Sequence, residues 1–197
     1  MSELQTFYVI RHGETSWSLS GQHTGRSDIP LTPKGEQQAR NLGEHLRTIS
    51  FAKVLMSPRS RAQRTCELAG LSGTATIDAD LAECDYGDYE GLRTADILQN
   101  NPHWNLWTDG SPNGESPQQI SARADRVFES LRGLEGNIAL FSHGHFSCAL
   151  ATRWIGLPIE NAQHFVLDPA AFGVLGFVER HETIAAIRHW NISSEGI

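Results

Sequence analysis

The sequence predicts an α/β fold, a three-layer sandwich in which helices flank a mixed, mostly parallel sheet. Short apolar runs rich in β-branched and aromatic residues alternate along the chain with longer segments of helical periodicity. Strands that alternate with helices form parallel sheets, because each helix returns the chain to the start of the next strand. The 197 residues contain no repeat, low-complexity tract or linker, so we expect one domain spanning residues 1–197.

The first half of the chain contains three predicted strands, at residues 7–10, 53–56 and 75–79. Between the first two, Thr32-Pro33 predicts a helix start, because threonine is a good N-cap and proline suits the first helical position. That helix has one apolar face at helical spacing, formed by Ala39, Leu42, Leu46 and Ile49. Ser57-Pro58 predicts the start of a second helix, which runs to about residue 70.

The second half continues the alternation and ends in a hairpin. Ser116-Pro117 predicts a third helix, whose inner face consists of Ile120, Ala124, Val127, Leu131 and Leu134. A buried strand at 137–141 follows, and then a helix that ends near Gly156-Leu157-Pro158. Residues 173–179 and 183–189 predict a hairpin around Arg180-His181, which adds an antiparallel edge to the sheet. Two copies of the chain could pair along that exposed edge as a homodimer.

Composition and charge exclude several classes of function. Hydrophobic residues make up 39% and charged residues 20%, as in ordinary globular proteins, and the net charge is −7. An acidic chain lacks the broad basic face that general nucleic-acid binders and membrane-surface binders need. We find neither a signal peptide at the N-terminus nor an apolar run long enough to span a bilayer. Three widely separated cysteines, Cys66, Cys84 and Cys148, predict reduced thiols in a cytoplasmic protein.

Two histidines directly follow predicted strands. Arg11-His12-Gly13 follows the first strand, and Ser142-His143-Gly144 follows the strand at 137–141. Ligands bind at the carboxyl ends of strands in open α/β sheets, so we expect His12 and His143 to lie in one site. The glycine after each histidine lets backbone and ligand approach closely.

Three arginines, Arg59, Arg61 and Arg64, lie in the first two turns of the predicted second helix. Cations near a helix N-terminus oppose the helix dipole and cost stability, unless an anion lies between them. A helix N-terminus and arginines together form a phosphate site. We therefore expect these arginines to hold a phosphoryl group.

Each of these features also has an ordinary structural explanation. A single Arg-His-Gly triplet arises by chance, arginines often form a solvated helix face, and Glu83 could be one more surface acid. His143 and His145 could be half of a metal site, but the sequence contains neither HExxH nor a carboxylate-rich cluster to complete one. One functional site without a metal explains all these features more simply than separate coincidences at strand ends.

A series of motifs runs through nearly the whole chain. It begins with a strand followed by Arg11-His12-Gly13-Glu14-Thr15. It continues with Thr24-Gly25, Pro30-Leu31-Thr32-Pro33-Lys34-Gly35, Ser57-Pro58-Arg59-Ser60-Arg61-Ala62-Gln63-Arg64-Thr65, Glu83 with Tyr86-Gly87, Gly114-Glu115-Ser116 and Ser142-His143-Gly144-His145. In content and order this series resembles the histidine phosphatase superfamily, the phosphoglycerate mutase-like enzymes. The resemblance implies the fold of that family, in agreement with the α/β sandwich.

The resemblance implies that His12 attacks phosphorus in line and forms a phosphohistidine intermediate. Arg11, Arg61 and His143 would surround the transferred phosphoryl group and stabilise its charge. Glu83 would protonate the leaving oxygen and later accept a proton from the attacking water, so we expect a mildly acidic pH optimum. Because these residues supply the positive charge, no metal or other cofactor is required. Which nitrogen of His12 attacks depends on the partner of the other nitrogen.

Several departures from the mutase pattern favour hydrolysis over phosphoryl transfer. The mutases have Glu-Arg-His-Tyr-Gly at the catalytic acid, where this chain has Glu83-Cys84-Asp85-Tyr86-Gly87. Gly91-Leu92-Arg93-Thr94 lacks the lysine of the mutase pattern Gly-Leu-Asn-Lys, and Ser18 replaces a mutase asparagine. The run from Glu83 to Gly91 is most similar to the branch of acid phosphatases and sedoheptulose-bisphosphatase-like sugar phosphatases, although many members have tryptophan where this chain has Cys84.

The resemblance and the residue chemistry together predict a hydrolase of small phosphomonoesters, sugar phosphates foremost. A phosphoglycerate mutase and a non-catalytic phospholigand-binding module on the same fold are the alternatives. The predicted substrate-binding residues are Ser18, Gln22, Thr24, Gly25, Tyr86, Gly144 and His145. Each could instead be a loop residue that satisfies backbone groups, and Trp17, Trp104 and Trp107 could either pack or line the pocket.

Overall fold

The structure, a computed structural model, describes residues 5–179, 181 and 183–193. Within these residues the strands are β1 (Thr6–Arg11), β2 (Phe51–Met56), β3 (Ala75–Ile77), β4 (Asn137–Ser142), β5 (Phe172–Glu179) and β6 (Thr183–Ile192). The helices are α1 (Ser16–Ser20), α2 (Pro33–Leu46), α3 (Ser60–Leu68), α4 (Thr94–Asn100), α5 (Leu106–Asp109), α6 (Pro117–Ser130) and α7 (Gly144–Trp154). Short 3₁₀ segments occur at Ser72–Thr74, Ala79–Leu81, Gly87–Tyr89 and Ile159–His164. None of the described helices is long and apolar enough to cross a membrane.

The strands form one mixed sheet in the order β3-β2-β4-β1-β5-β6. β4 pairs in parallel with β1 and β2, and β2 pairs in parallel with β3. β5 pairs antiparallel with both β1 and β6, which forms the predicted antiparallel edge. Of the turn predicted around Arg180-His181, Arg180 lies outside the described residues.

Helices cover both faces of the sheet, which confirms the predicted three-layer α/β sandwich. Successive residues of a strand point to opposite faces. Val9 accordingly packs in the core formed with α6 and α7, whereas Ile10 packs in the core formed with α2 and α3. In the first core, Phe7 makes edge-to-face contacts with Phe128 and Trp154. Burial on both faces explains why the central strands are nearly continuous apolar runs.

The helix starts predicted at Thr32 and Ser116 are confirmed. Thr32 Oγ1 accepts a hydrogen bond of 3.0 Å from the N–H of Gly35, and Ser116 Oγ accepts one of 3.2 Å from the N–H of Gln119. In both helices proline occupies the first helical position. These caps satisfy backbone donors that the first turn of a helix leaves unpaired.

The predicted start of the second helix is wrong by two residues. The helix begins at Ser60 rather than at Ser57-Pro58. Ser57 Oγ accepts a hydrogen bond of 3.2 Å from the N–H of Arg59, and Arg59 has an extended backbone with φ of −83° and ψ of 136°. The chain therefore stays extended past the end of β2, because the serine hydroxyl bonds the backbone before a helical turn forms.

Other differences concern the ends of elements and short helices. Leu134, predicted on the inner face of the third helix, lies beyond the helix end at Ser130 and is 42% exposed. The strand predicted at 75–79 stops at Ile77, because Asp78 caps a 3₁₀ turn. The short helices α1, α4 and α5 have no counterpart among the predicted elements, since each is too short to show helical periodicity.

The parallel part of the sheet brings three chain segments together at one edge. Arg11 lies opposite Ser142, and Met56 lies opposite Phe141, so β1, β4 and β2 end side by side. The pairing continues past the strands, where the N–H of His12 donates to the carbonyl of Ser142 at 3.1 Å. The residues that follow these three strands therefore meet at the carboxyl edge of the sheet.

Candidate active site

His12 follows β1 and His143 follows β4, and the fold brings the two imidazoles together. Their ring centroids lie 5.1 Å apart with the ring planes at 67°, in an edge-to-face arrangement. Both side chains are buried. Burial first, and the charge of Arg61 second, hold the pKa of each imidazole well below its ordinary value. Both rings are therefore neutral at physiological pH.

Two hydrogen bonds define the tautomer of His12. Its Nδ1 lies 2.7 Å from the carbonyl oxygen of Gly13, which can only accept, so Nδ1 carries the proton. Its Nε2 accepts a hydrogen bond of 3.2 Å from the Nε–H of Arg61. Nε2 is therefore the nitrogen of His12 that has a lone pair available.

Arg61, in the first turn of α3, is fully buried and bound to the backbone of residues 24–27. Its Nη1 donates to the carbonyl of Ser27 at 2.9 Å, and its Nη2 donates to the carbonyls of Thr24 and Gly25 at 2.8 and 3.4 Å. A Cβ at Gly25 would lie 2.5 Å from the carbonyl oxygen of Cys84, so only glycine fits there. Gly25 thus supports the Arg61 guanidinium, and it is not one of the residues that line the pocket.

Arg11, the last residue of β1, lines the same pocket as His12. Its Nη1 donates to the carbonyl of Leu167 at 2.5 Å, while its Nε is buried and has no hydrogen-bond partner in the described part of the chain. Burial lowers the pKa of Arg11, and the negative charge of Glu83 opposes that shift. A Cβ at Gly144 would lie 3.3 Å from the guanidinium carbon, so glycine leaves room for this side chain.

Glu83 lies at the N-terminus of α7, where backbone N–H groups point at its carboxyl group. Oε2 accepts from the N–H of His145 at 3.1 Å, and Oε1 accepts from the N–H groups of Phe146 and Cys84 at 2.8 and 2.9 Å. These three bonds hold the carboxyl group in one orientation. The arrangement brings one acidic side chain into the pocket that contains Arg11 and His12.

The pocket has a volume of about 330 Å³. Six of the predicted substrate-binding residues line it: Ser18, Gln22, Thr24, Tyr86, Gly144 and His145. The Tyr86 hydroxyl lies 2.6 Å from Nδ1 of His145, which ties two of these side chains together. Trp104 and Trp107 are buried and pack edge-to-face against His23 and His145 respectively, so packing is their role.

The pocket also contains residues that the sequence patterns did not single out: Gly21, His23, Thr94, Cys148, Phe165, Val166 and Leu167. The ring of His23 lies 4.6 Å from that of Tyr86, and its Nε2 lies 3.3 Å from Oγ1 of Thr94. Burial lowers the pKa of His23 to about 4. His23 lies between Gln22 and Thr24, two predicted substrate-binding residues, and this position could have marked it as a pocket residue. No local pattern marks residues 165–167, which precede β5.

Only part of the predicted arginine cluster reaches the site. Arg61 contacts His12, and Arg59 has a buried Nε without a partner in the described chain. The expectation that Arg64 holds the same anion is wrong. Its guanidinium instead makes hydrogen bonds of 2.9 and 2.8 Å to Glu36 and Glu67, because it faces α2 and solvent.

The described residues include three free cysteines and no cluster of metal ligands. No group of three or more His, Cys, Asp or Glu side chains there is arranged to hold a metal ion. Cys66, Cys84 and Cys148 are free and buried. Burial raises the pKa of Cys66 and of Cys148 to about 12, so both thiols are protonated at neutral pH.

Comparison with known proteins decides the family. The sequence profile of the histidine phosphatase superfamily (branch 1) matches residues 7–192. The chain belongs to the histidine phosphatase superfamily. The acid phosphatase of Mycobacterium tuberculosis is 43% identical over 173 residues, which cover 86% of this chain and 85% of the relative. The sedoheptulose 1,7-bisphosphatase of Saccharomyces cerevisiae is 37% identical over 184 residues, which cover 77% and 68%.

A solved structure agrees with these sequence matches. The product of an open reading frame of Mycobacterium tuberculosis superposes with a TM-score of 0.91 at 37% identity, covering 97% of this chain and 99% of that one. The predicted family and fold are thus confirmed. As a member of the histidine phosphatase superfamily with phosphatase relatives, the chain is a phosphoric monoester hydrolase.

Proposed function

We propose that this histidine phosphatase hydrolyses small phosphomonoesters, sugar phosphates foremost, with His12 as the nucleophile and without a metal. The observation that carries the proposal is the pair of hydrogen bonds on His12, which leaves the Nε2 lone pair beside the Arg61 guanidinium. A neutral imidazole next to a fixed cation is suited to attack a phosphoryl group, because the cation offsets the negative charge of the phosphoryl oxygens.

The reaction proceeds in two steps. In the first, Nε2 of His12 attacks phosphorus, the N–P bond forms, and the P–O bond to the leaving group breaks while the carboxyl group of Glu83 protonates the leaving oxygen. In the second, water attacks the phosphohistidine and gives a proton to the Glu83 carboxylate, and the N–P bond breaks to release phosphate. Both His12 and Glu83 then return to their starting protonation states.

The groups around His12 bind the phosphoryl oxygens. Three nitrogens near His12 or its neighbour His143 are buried without a hydrogen-bond partner in the described residues: Nε of Arg11, Nε of Arg59 and Nδ1 of His143. The Ser57 hydroxyl, 2.7 Å from Nε2 of His143, can donate to that nitrogen and leave the proton on Nδ1. Buried polar groups are nearly always paired, so unpaired donors around a nucleophile support an anionic ligand.

The leaving group occupies the pocket lined by Ser18, Gln22, Thr24, Tyr86, Gly144 and His145. A volume of about 330 Å³ suits a small ester rather than a large phosphorylated macromolecule. The names of the acid phosphatase and sugar bisphosphatase relatives also support a small phosphomonoester as substrate.

We further propose that the enzyme works in the cytoplasm and binds neither nucleic acids nor membranes. A net charge of −7 and three free, buried cysteines support it. The edge strand β6 supports a homodimer in which two copies pair strand to strand. Cell fractionation tests the location, and light scattering tests the homodimer, which a monomeric mass at micromolar concentration would contradict.

Phosphate release from a panel of sugar phosphates, phosphoglycerates and an aryl phosphate, with and without EDTA, tests the function. We expect release from several esters at a rate that the chelator leaves unchanged. A large loss with EDTA would contradict metal independence. Interconversion of phosphoglycerate isomers without release would identify a mutase, and ligand binding without turnover would identify a non-catalytic module.

The variant His12→Asn tests the nucleophile, because an amide cannot form the phosphohistidine. We expect turnover to fall by roughly 10⁴-fold or more while the circular dichroism spectrum is unchanged. His45→Asn, which replaces an exposed histidine on α2, is the matched control and should retain activity. Activity retained in His12→Asn would remove the phosphohistidine mechanism.

A further inference from the structure

The part of the pocket that receives the leaving group is lined mainly by uncharged groups. Within the described residues, the charged side chains of the lining are Arg11, which belongs to the phosphoryl site, and the acid Glu83. The other groups used in this argument are polar but neutral, or apolar: Ser18, Gln22, Thr24, Thr94, Phe165 and Val166. A second anionic group on a substrate would therefore find no cation of its own on this wall.

The arginines next to this wall along the chain are already paired with acids. Arg93 precedes Thr94 and forms a backbone bridge with Gln22, and its guanidinium donates two hydrogen bonds of 2.8 Å to Asp96. Arg26 pairs with Asp85 at 2.5 Å. The Arg93 and Arg26 side chains are 57% and 71% exposed. Solvent therefore screens any attraction between these two guanidinium groups and an anion in the pocket.

Two hydroxyl groups of the wall present lone pairs rather than hydrogens. Ser18 Oγ donates its hydrogen to the carbonyl of Thr15 at 2.9 Å, and Thr24 Oγ1 donates to the carbonyl of Gln22 at 3.1 Å. A hydroxyl has one hydrogen, so each offers a ligand only an acceptor. The hydroxyl of a polyol can donate to such an acceptor, whereas an ionised carboxylate or a fully ionised phosphate has no hydrogen to donate.

We propose that this enzyme selects phosphomonoesters whose leaving group is an uncharged polyol, and that it discriminates against leaving groups carrying a second anion. The proposal rests on the phosphatase function above and names its substrate class. Polyol hydroxyls donate to Ser18 and Thr24, and the C–H faces pack against Phe165 and Val166. A second anion loses its hydration and meets no cation of its own on this wall. The yeast relative is named as a bisphosphatase. In this enzyme, by contrast, we expect bisphosphates to be poor substrates.

The test compares glycerol 3-phosphate with 3-phosphoglycerate. The two share a three-carbon skeleton and differ by a hydroxymethyl group against a carboxylate. Fructose 6-phosphate and fructose 1,6-bisphosphate form a second pair. We expect kcat/KM for the uncharged member to be roughly tenfold higher or more, since an anion that loses its hydration without gaining a cationic partner is strongly disfavoured. Equal or higher kcat/KM for the anionic member would overturn the proposal.

A charge-gain variant tests whether this wall is responsible. Val166 lines the pocket and is 65% exposed, so lysine can replace it without burying a charge. Val166→Lys should raise kcat/KM for 3-phosphoglycerate relative to glycerol 3-phosphate by about tenfold, and Val166→Gln, long but uncharged, should not. Leu134→Lys adds the same charge in the turn before β4, at the amino end of that strand and so away from the site. It should leave the ratio of the two kcat/KM values unchanged.

The possible failures are distinguishable. An equal shift of the ratio in Val166→Lys and Leu134→Lys would show that net charge, not the wall, controls selectivity, and would overturn the proposal. No release from either ester or from phenyl phosphate would instead remove the phosphatase function on which the proposal rests.

Discussion

Asn191 is joined to Asp168 by two hydrogen bonds that run in opposite directions. Its Oδ1 accepts from the backbone N–H of Asp168, and its Nδ2 donates to Oδ2 of the same residue, both at 2.8 Å. Asp168 follows Leu167, whose carbonyl accepts the hydrogen bond from Arg11. The last strand of the sheet therefore holds one wall of the pocket and, through it, an arginine of the phosphoryl site.

We predict that Asn191→Ala lowers kcat/KM by roughly three- to tenfold. The variant loses both hydrogen bonds to Asp168, so the segment 165–168 and the Arg11 side chain that it binds are held less firmly. Each of the two bonds contributes about 1 kcal/mol. Alanine is also strained at the φ of +55° found here. Asn191→Gly, which tolerates that backbone, separates strain from the loss of the bonds. In urea denaturation it should recover part of the free energy of unfolding, without recovering activity. Full activity in the glycine variant would contradict the positioning role.

Arg61→Lys is expected to reduce kcat by about 10²–10³-fold. Lysine keeps the charge but cannot reproduce the guanidinium contacts with His12 and with the carbonyls of Thr24 and Ser27. Arg64→Lys is the matched control, since that arginine is on the same helix but pairs with surface acids, and it should keep kcat within about twofold. Equal losses in the two variants would contradict the special role of Arg61.

Glu83→Gln removes the proton donor and should reduce kcat for alkyl phosphates by about 10²–10⁴-fold. The loss should be smaller for p-nitrophenyl phosphate, because a nitrophenolate leaves without protonation. The mildly acidic optimum of the wild type should also flatten in the pH–rate profile. Glu160→Gln, at an exposed acid, is the control. An equal loss for both kinds of ester would argue against an acid role for Glu83.

Three buried histidines and the partly buried His145 predict that the protein loses stability in acid. Burial is the first cause that lowers the pKa values of His12, His23, His143 and His145. In the unfolded chain a histidine has a pKa of about 6.5, so below that pH the folded state binds fewer protons than the unfolded state. Their stabilising contribution is present above pH 6.5 and is lost as the pH falls toward the folded-state values.

His23→Gln measures one of these contributions. Its pKa falls from 6.5 to about 4 on folding, which corresponds to about 3 kcal/mol lost between those pH values. We therefore expect the free energy of unfolding of His23→Gln to fall less steeply with acidification than that of the wild type. Urea denaturation across this pH range measures both slopes, with His45→Gln as the control for removing an exposed imidazole. Identical slopes in wild type and His23→Gln would contradict the prediction.

Much of the candidate site could be predicted because its signals are local. Arg11-His12-Gly13 and Ser142-His143-Gly144 follow buried strands, and parallel strands end at the same edge of a sheet. The starts of α2 and α6 likewise depend on bonds between residues three positions apart. Gly25 shows the limit of local signals. The sequence shows that it belongs to the Thr24-Gly25 motif, but it does not show that the carbonyl of Gly25 contacts Arg61.

By itself, the sequence determined the α/β class, the family and the two histidines that meet. Only the tertiary structure decided which nitrogen of His12 is unprotonated, which arginine of α3 reaches it, and which loop completes the pocket. These features depend on contacts between distant parts of the chain: Arg61 is 49 residues from His12, and Leu167 is 156 residues from Arg11. Periodicity and spacing report only on neighbours in sequence, so long-range side-chain contacts leave no local pattern.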